Sequence, residues 1–367
     1  MNYRHLRVID VHTHFPIENS MGVPQRARPP QHPLLQAYAR DRGERMRAEW
    51  NTAPAEPPAR TPEEVDGALR RWVEETDRYH LRKVVFVSGG GNDRLAGLVA
   101  RHPERFLGLA HHPLEPGADV ELRRAVDELG LRGYKLLGPA TEWAFEAPEL
   151  RGVWEFLAER RLPALIHFGF LGRGGGVVQH PRMSPLSLFE VARDFPEIPF
   201  IVPHFGAGYL QELLALCWSL PNVYIDTSGS NQWMRWMPYP LTLEDLFRKA
   251  FETVGAERVV FGSDSSYFPR GFSERYLLDQ LRACYTLGVP EADVRNVFGG
   301  NAARLLQIED REGAAGKRGS DASADAQAAV PNGASAREQA PVPNGASAGE
   351  QVPVADGLSA TAAEERG

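Results

Sequence analysis

Eight short apolar, β-branched runs recur between residues 7 and 264, most of them followed by a loop and an amphipathic stretch. The runs read RVIDVHTH (7–14), KVVFVSG (83–89), RFLGLAHH (105–112), LRGYKLLG (131–138), LPALIHFG (162–169), IPFIVPHFG (198–206), NVYIDTSG (222–229) and RVVFGSD (258–264). Among the helical stretches between them, TPEEVDGALRRWVEETDRYH and TLEDLFRKAFETVG each open on a threonine followed by acidic residues, a helix-start signature. Eight such alternations in about 300 residues predict an α/β fold, a (β/α)8 TIM barrel rather than an open doubly wound sheet. No dinucleotide fingerprint follows any strand, because SGGGN (88–92) lacks both the glycine spacing and the later acid.

Three connections are too long for simple turns: 15–61 after strand 1, 169–187 after strand 5 and 228–243 after strand 7. The first is expected to hold a helix around His32–Trp50. All three belong to the C-terminal end of the barrel, where such folds keep their chemistry. Past residue 308 the composition turns to Ala, Gly, Ser, Pro and Glu, with the imperfect repeat VPNGASAREQ and VPNGASAGEQ. The expected organisation is therefore a barrel over 1–308 and a disordered low-complexity tail over 309–367.

Net charge is −7, and ten acidic against five basic residues from Glu309 onward carry most of it. A near-neutral barrel gives no basic face for nucleic acid. No run reaches the ~20 apolar residues of a membrane span, and the opening MNYRHLRVID lacks a secretory apolar region. Cys217 and Cys284 both fall in helix-like segments and build no disulfide framework. A cytoplasmic protein acting on a small molecule, without nucleic-acid or membrane partners, is the expectation.

If Val8–His14 is a strand, Asp10, His12 and His14 share one of its faces. Other strand ends supply His111 and His112 (strand 3), Lys135 (strand 4), His167 (strand 5), His204 (strand 6), Asp226 (strand 7) and Asp264 (strand 8). A barrel gathers strand ends into one small volume. His12, His14, His167 and Asp264 would then surround one Zn2+-like ion with three nitrogens and one oxygen, leaving a position for water. Asp10 and Asp226 are expected to support these ligands. Of His111 and His112, at most one faces the site, and His32 and His180 are read as ordinary loop histidines.

The motifs DVHTHF, GYKL, LIHFG, VPHFGAG, YIDTSG, VFGSDSSYFP and VFGGNAARLL resemble the amidohydrolase superfamily of metal-dependent barrels. They are most similar to the branch containing aminocarboxymuconate-semialdehyde decarboxylase. The resemblance implies His12, His14, His167 and Asp264 as metal ligands and His204 as the catalytic histidine, and points to a homodimer. Lys135 is one of only four lysines. In two-metal members of the superfamily the corresponding lysine is carbamylated; binding an anionic substrate group is the reading preferred here.

The activity expected first is metal-dependent hydrolysis, with Zn2+ (or Mn2+, Fe2+ or Co2+) lowering the pKa of a water. Asp264 would move the proton and His204 would stabilise the developing oxyanion. Non-oxidative decarboxylation of an aromatic or muconate-type acid is the alternative, followed by hydration and by a binding barrel without chemistry. Lys135, Arg173, Arg182, Trp233 and Arg235 are the candidate substrate-binding residues.

Overall fold

Among the described residues, the strands pair only in parallel. The computed structural model describes residues 3–21, 32–50, 53–170 and 181–309. Among them, β1 (Ile9–His14), β2 (Lys83–Ser88) and β3 (Phe106–Gly108) form one parallel run. A second run comprises β4 (Tyr134–Leu137), β5 (Ala164–His167), β6 (Phe200–Val202), β7 (Val223–Asp226) and β8 (Val259–Val260). The two runs join into a closed barrel at both seams. Ala110 N–H donates to Gly133 O at 2.9 Å and Lys135 N–H to Ala110 O at 2.7 Å, linking β3 to β4. Val11 N–H donates to Phe261 O at 3.1 Å and His14 N–H to Ser265 O at 2.8 Å, linking β8 back to β1. The expected (β/α)8 barrel is the observed fold.

Helices separate the strands: α1 (Pro33–Trp50), α2 (Pro62–Arg78), α3 (Asn92–Val99), α4 (Ala118–Asp127), α5 (Arg151–Arg160), α6 (Phe189–Asp194), α7 (Leu210–Ser219) and α8 (Leu243–Val254). After β8 come α9 (Glu274–Thr286), α10 (Glu291–Arg295) and α11 (Asn301–Leu305). The capping signals act as read. The Thr61 hydroxyl accepts from Glu64 N–H while the Glu64 carboxylate accepts from Thr61 N–H, and Thr242 with Asp245 repeats the arrangement. Each such cap contributes about 1 kcal/mol. In α8 the spacing of Leu246, Phe247, Ala250 and Val254 puts all four on the buried face. Cys217 and Cys284 lie buried in α7 and α9.

Two layers of core hold the barrel. Ile9, Val11, Val85, Val87, Leu109, Leu165, Ile201 and Val260 pack with Ala302, Leu305 and Leu306 of α11. The alternate strand residues, among them Phe86, Ile166, Val202 and Ile225, pack with the helices. The extended connection after β1 carries α1 over the length the sequence predicts, with Leu34, Leu35, Tyr38 and Met46 exposed. The expected tail falls on residues 310–367, outside the described residues.

Regular strand ends earlier than the apolar runs do. β3 stops at Gly108 and β8 at Val260, so His111 and Asp264 stand on the loops that follow. His204 (φ 59°) and Asp264 (φ 55°) have left-handed backbone, which no strand can continue. Left-handed backbone in non-glycine residues is costly and clusters at functional sites.

Candidate active site

The pairing of β1 is irregular. Asp10 pairs with Val84, Thr13 with Phe86 and His14 with Ser88, so the register slips after Asp10 and is regained at His14. Asp10 lies fully buried and does not open into the site with His14. Its buried carboxylate instead accepts from Ser263 N–H at 2.9 Å, from the Ser263 hydroxyl and from His12 N–H at 3.1 Å. Asp10 thus ties β1 to the turn that carries Asp264. Burial pushes its pKa up to about 7 against those hydrogen bonds.

His12, His14 and Asp264 each offer a ligand atom, and the three atoms lie within 4.8 Å of one another. Asp264 Oδ1 is 3.3 Å from His14 Nε2 and 3.8 Å from His12 Nε2. A backbone bond from Asp264 N–H to His12 O, 2.8 Å long, sets this approach directly. Burial penalises the Asp264 carboxylate, yet His14, His204 and His12 together hold it well below the usual range. Burial, with Lys135 and His204 nearby, drives His12 well below its ordinary value and keeps it neutral.

Each imidazole is oriented by the nitrogen that faces away. His12 Nδ1–H donates to Asp226 Oδ2 at 2.7 Å, which frees Nε2 toward Asp264. His14 Nδ1 is 2.7 Å from the Ser88 hydroxyl. His204 Nδ1–H donates to Ser228 O at 3.1 Å, with Ser228 Oγ at 2.9 Å, which turns Nε2 the other way. Ser228 Oγ also donates to Asp226 Oδ2 at 3.0 Å. Two imidazoles so oriented, together with one carboxylate, suit a divalent cation. The carboxyl of Asp226, expected as support, fills that role, and burial lifts its pKa to about 6.

His167 stands outside the group of three. Its ring lies 5.0 Å from that of His204, centroid to centroid, and Nε2–H donates to Phe170 O at 3.2 Å. The bare nitrogen is therefore Nδ1. Burial, then His204 and Lys135, keeps the ring neutral. Lys135 is buried beside these groups; burial lowers its pKa to about 8, with Asp226 and Asp264 opposing.

The remaining expected residues are not gathered here. His111 Nε2 accepts from Gly89 N–H at 3.2 Å and Gly91 N–H at 3.0 Å, pinning the loop after β2. His112 stacks on Tyr134 at 4.6 Å and bonds to Ala118 O. Arg182 donates from Nε to Thr141 O at 2.9 Å, so this edge of its fork is spent on backbone. Trp233 is buried, its indole N–H on Asn231 Oδ1 at 3.2 Å, and serves the core rather than a pocket wall. Arg235 pairs with Glu49 of α1 at 2.5 Å and with Gln232, and itself lines a cavity of about 540 Å3 with Met234, Met237 and Tyr239, a lining without Trp233. Arg173 and His180 lie outside the described residues.

Ser88, Ser228, Ser263 and Arg270 are site residues that sequence reading did not single out. Ser228 carried a signal: it lies two residues past Asp226, on the same face of the strand direction. Two glycines make room for the ligands. A Cβ on Gly262 would stand 2.6 Å from Asp226 Oδ1 and 2.9 Å from His12 Cβ; one on Gly229 would meet His204 Nδ1 at 3.2 Å.

Known proteins resemble this chain. A 2-keto-4-carboxy-3-hexenedioate hydratase of Sphingobium sp. is 25% identical over 59% of this chain and 70% of its own. A gamma-resorcylate decarboxylase of Rhizobium sp. is 23% identical over 62% of this chain and 78% of its own. The 5-carboxyvanillate decarboxylase structure of Novosphingobium aromaticivorans, complexed with manganese and 4-hydroxy-3-methoxy-5-nitrobenzoic acid, matches in fold with a TM-score of 0.53. That match covers 82% of this chain and 96% of that one at 16% identity. An amidohydrolase family model matches residues 9–308, nearly the whole described barrel, and the chain belongs to that family.

Proposed function

We propose that this protein is a metal-dependent hydrolase of a small carboxylate-bearing substrate. One observation carries the reading: Asp264 sits within reach of both His14 and His12 while its side chain stays 38% exposed, open to an incoming molecule. His12, His14 and Asp264 would hold the cation, with His167 Nδ1 as the further donor. Zn2+ suits this set, and Mn2+, present in a solved structure of similar fold, is the other choice. A cation so held would supply Lewis-acid activation of water or of a substrate oxygen.

The chain's own groups then divide the work. Asp264, ionised throughout the neutral range, takes the proton of the attacking water and returns it to the leaving group. His204, anchored through Nδ1, presents Nε2 to the reacting carbonyl, and in its imidazolium form donates to the developing oxyanion. Lys135, coupled to Asp226 and Asp264, adds positive potential beneath the site.

The gamma-resorcylate decarboxylase among the relatives favours a second reading, loss of carbon dioxide from an aromatic acid. His204, or Asp264 after taking a proton from a substrate hydroxyl or a water, would then protonate the ring carbon, and the electron pair of the breaking carbon–carbon bond would return to the ring. Metal-loaded protein incubated with hydroxybenzoates, carboxymuconate semialdehydes, lactones and amides in isotope-labelled water separates the two. Label entering product without carbon dioxide release is expected. Carbon dioxide release with solvent hydrogen on carbon would overturn hydrolysis. In either reaction His204→Asn should slow turnover roughly a hundred- to ten-thousandfold.

A further inference from the structure

Arg270 is a half-buried cation with no acidic partner among the described residues. Its Nη2–H donates to the backbone carbonyl of Asp264 at 3.0 Å, which fixes the guanidinium beside the candidate metal ligand. The Tyr267 ring lies 4.4 Å from Cζ and the Tyr276 ring 5.8 Å, so two aromatic walls hold the plane. Nε is buried and has no hydrogen-bond acceptor. Orphaned buried donors are rare in folded proteins and need an explanation.

The surroundings point to an anion as that explanation. Tyr276 is hydrogen-bonded to Ser230, and Ser230 follows Gly229, whose Cβ position would be 3.2 Å from His204 Nδ1 and 3.7 Å from Asp264 Oδ2. Gly229, Ser230 and Tyr276 also line a cavity of about 190 Å3. Arg270, Tyr267 and Tyr276 therefore stand on the flank of the site formed by the loops after β7 and β8.

We propose that Arg270 is the residue that recognises a second carboxylate of the substrate, one that does not react. The planar fork matches a carboxylate in two parallel hydrogen bonds, a geometry no lysine supplies. The tyrosine walls give the same anion an aromatic or otherwise flat body to lie against. The substrate class is thus a di-anion: one group at His12, His14 and Asp264, the other at Arg270. This rests on the reading that the cluster is where the substrate reacts, but its test requires no turnover.

Titration calorimetry of metal-loaded protein with benzoate and with isophthalate, its dicarboxylate, measures the second contact by difference. Wild type should bind isophthalate about ten- to a hundredfold more tightly, the range of a charge-assisted hydrogen-bonding contact. Arg270→Gln keeps a donor for the Asp264 carbonyl, and should erase the preference while leaving benzoate affinity nearly unchanged. Arg270→Lys should retain part of it, and carries the same comparison if the glutamine variant does not fold. A wild type without the preference overturns the proposal, as does a preference that survives both substitutions. Equal loss of both ligands would instead make Arg270 a prop for Asp264 and overturn it too. Failure of every panel substrate to react would count against the proposed reaction and leave this result standing.

Discussion

Replacing Asp226 by asparagine exchanges one oxygen for an amide and alters no shape, so its effect isolates the tautomer of His12. Asp226 accepts at both oxygens: Oδ2 takes His12 Nδ1–H at 2.7 Å and the Ser228 hydroxyl at 3.0 Å, and Oδ1 takes Ser228 N–H at 2.8 Å. An asparagine must turn its NH2 to one side. Facing Ser228 it meets a backbone N–H that can only donate. Facing His12 it meets Nδ1–H, and the imidazole escapes by moving its proton to Nε2, the nitrogen aimed at Asp264. Either way a buried donor faces a donor, or the metal-facing lone pair is lost.

Loss of a supporting hydrogen bond to a ligand histidine costs about 10- to 100-fold in metal affinity. The unsatisfied buried donor adds about 1–3 kcal/mol, a further factor of about 5 to 150, which brings Asp226→Asn to roughly fiftyfold to ten-thousandfold. Asp226→Ala removes the acceptor without introducing a donor and should cost less than the asparagine variant. Calorimetric titration of chelator-treated protein with Zn2+ and Mn2+ measures both, with circular dichroism confirming the fold. Asparagine and wild-type affinities within about threefold of each other, or an alanine variant weaker than the asparagine one, would refute the reasoning.

Two further outcomes follow from the same geometry. Gly262→Ala places a methyl 2.6 Å from Asp226 Oδ1 and 2.8 Å from Ser228 Cβ; overpacking of this kind costs about 1–3 kcal/mol. A lower melting temperature together with weakened metal binding is expected from thermal denaturation and titration. Asp10, whose pKa burial raises to about 7 from an ordinary 3.8, binds its proton more tightly in the folded state. Its stabilising contribution is complete below the unfolded pKa and lost as pH rises through the folded one. Denaturant midpoints of metal-free protein should therefore fall as pH rises from about 4 to about 7, the interval between the unfolded and folded pKa, and Asp10→Asn should flatten that slope.

The closed barrel was legible because its signal is periodic and repeated: each strand needs an apolar run and each helix an apolar stripe, whatever the neighbours are. The capping boxes at Thr61 and Thr242 were equally local, since three residues of one segment complete them. His12, His14 and Asp264 could be grouped because a barrel brings strand ends together by topology alone. Their support could not be assigned from sequence in the same way. Ser228, Ser88 and Ser263 are common residues whose roles arise only from bonds across the barrel. What holds Asp10 is Ser263, more than 250 residues away along the chain, which no property of residues 9–14 encodes. The arginines of the extended loops stood out in the sequence, but the geometry spends Arg182 on Thr141 and Arg235 on Glu49. Arg270, unremarkable as a letter, is set beside Asp264 with a donor unspent. Sequence determines which groups are available and which strand ends carry them; hydrogen-bond partners distant along the chain determine which nitrogen, oxygen or guanidinium edge remains free for chemistry.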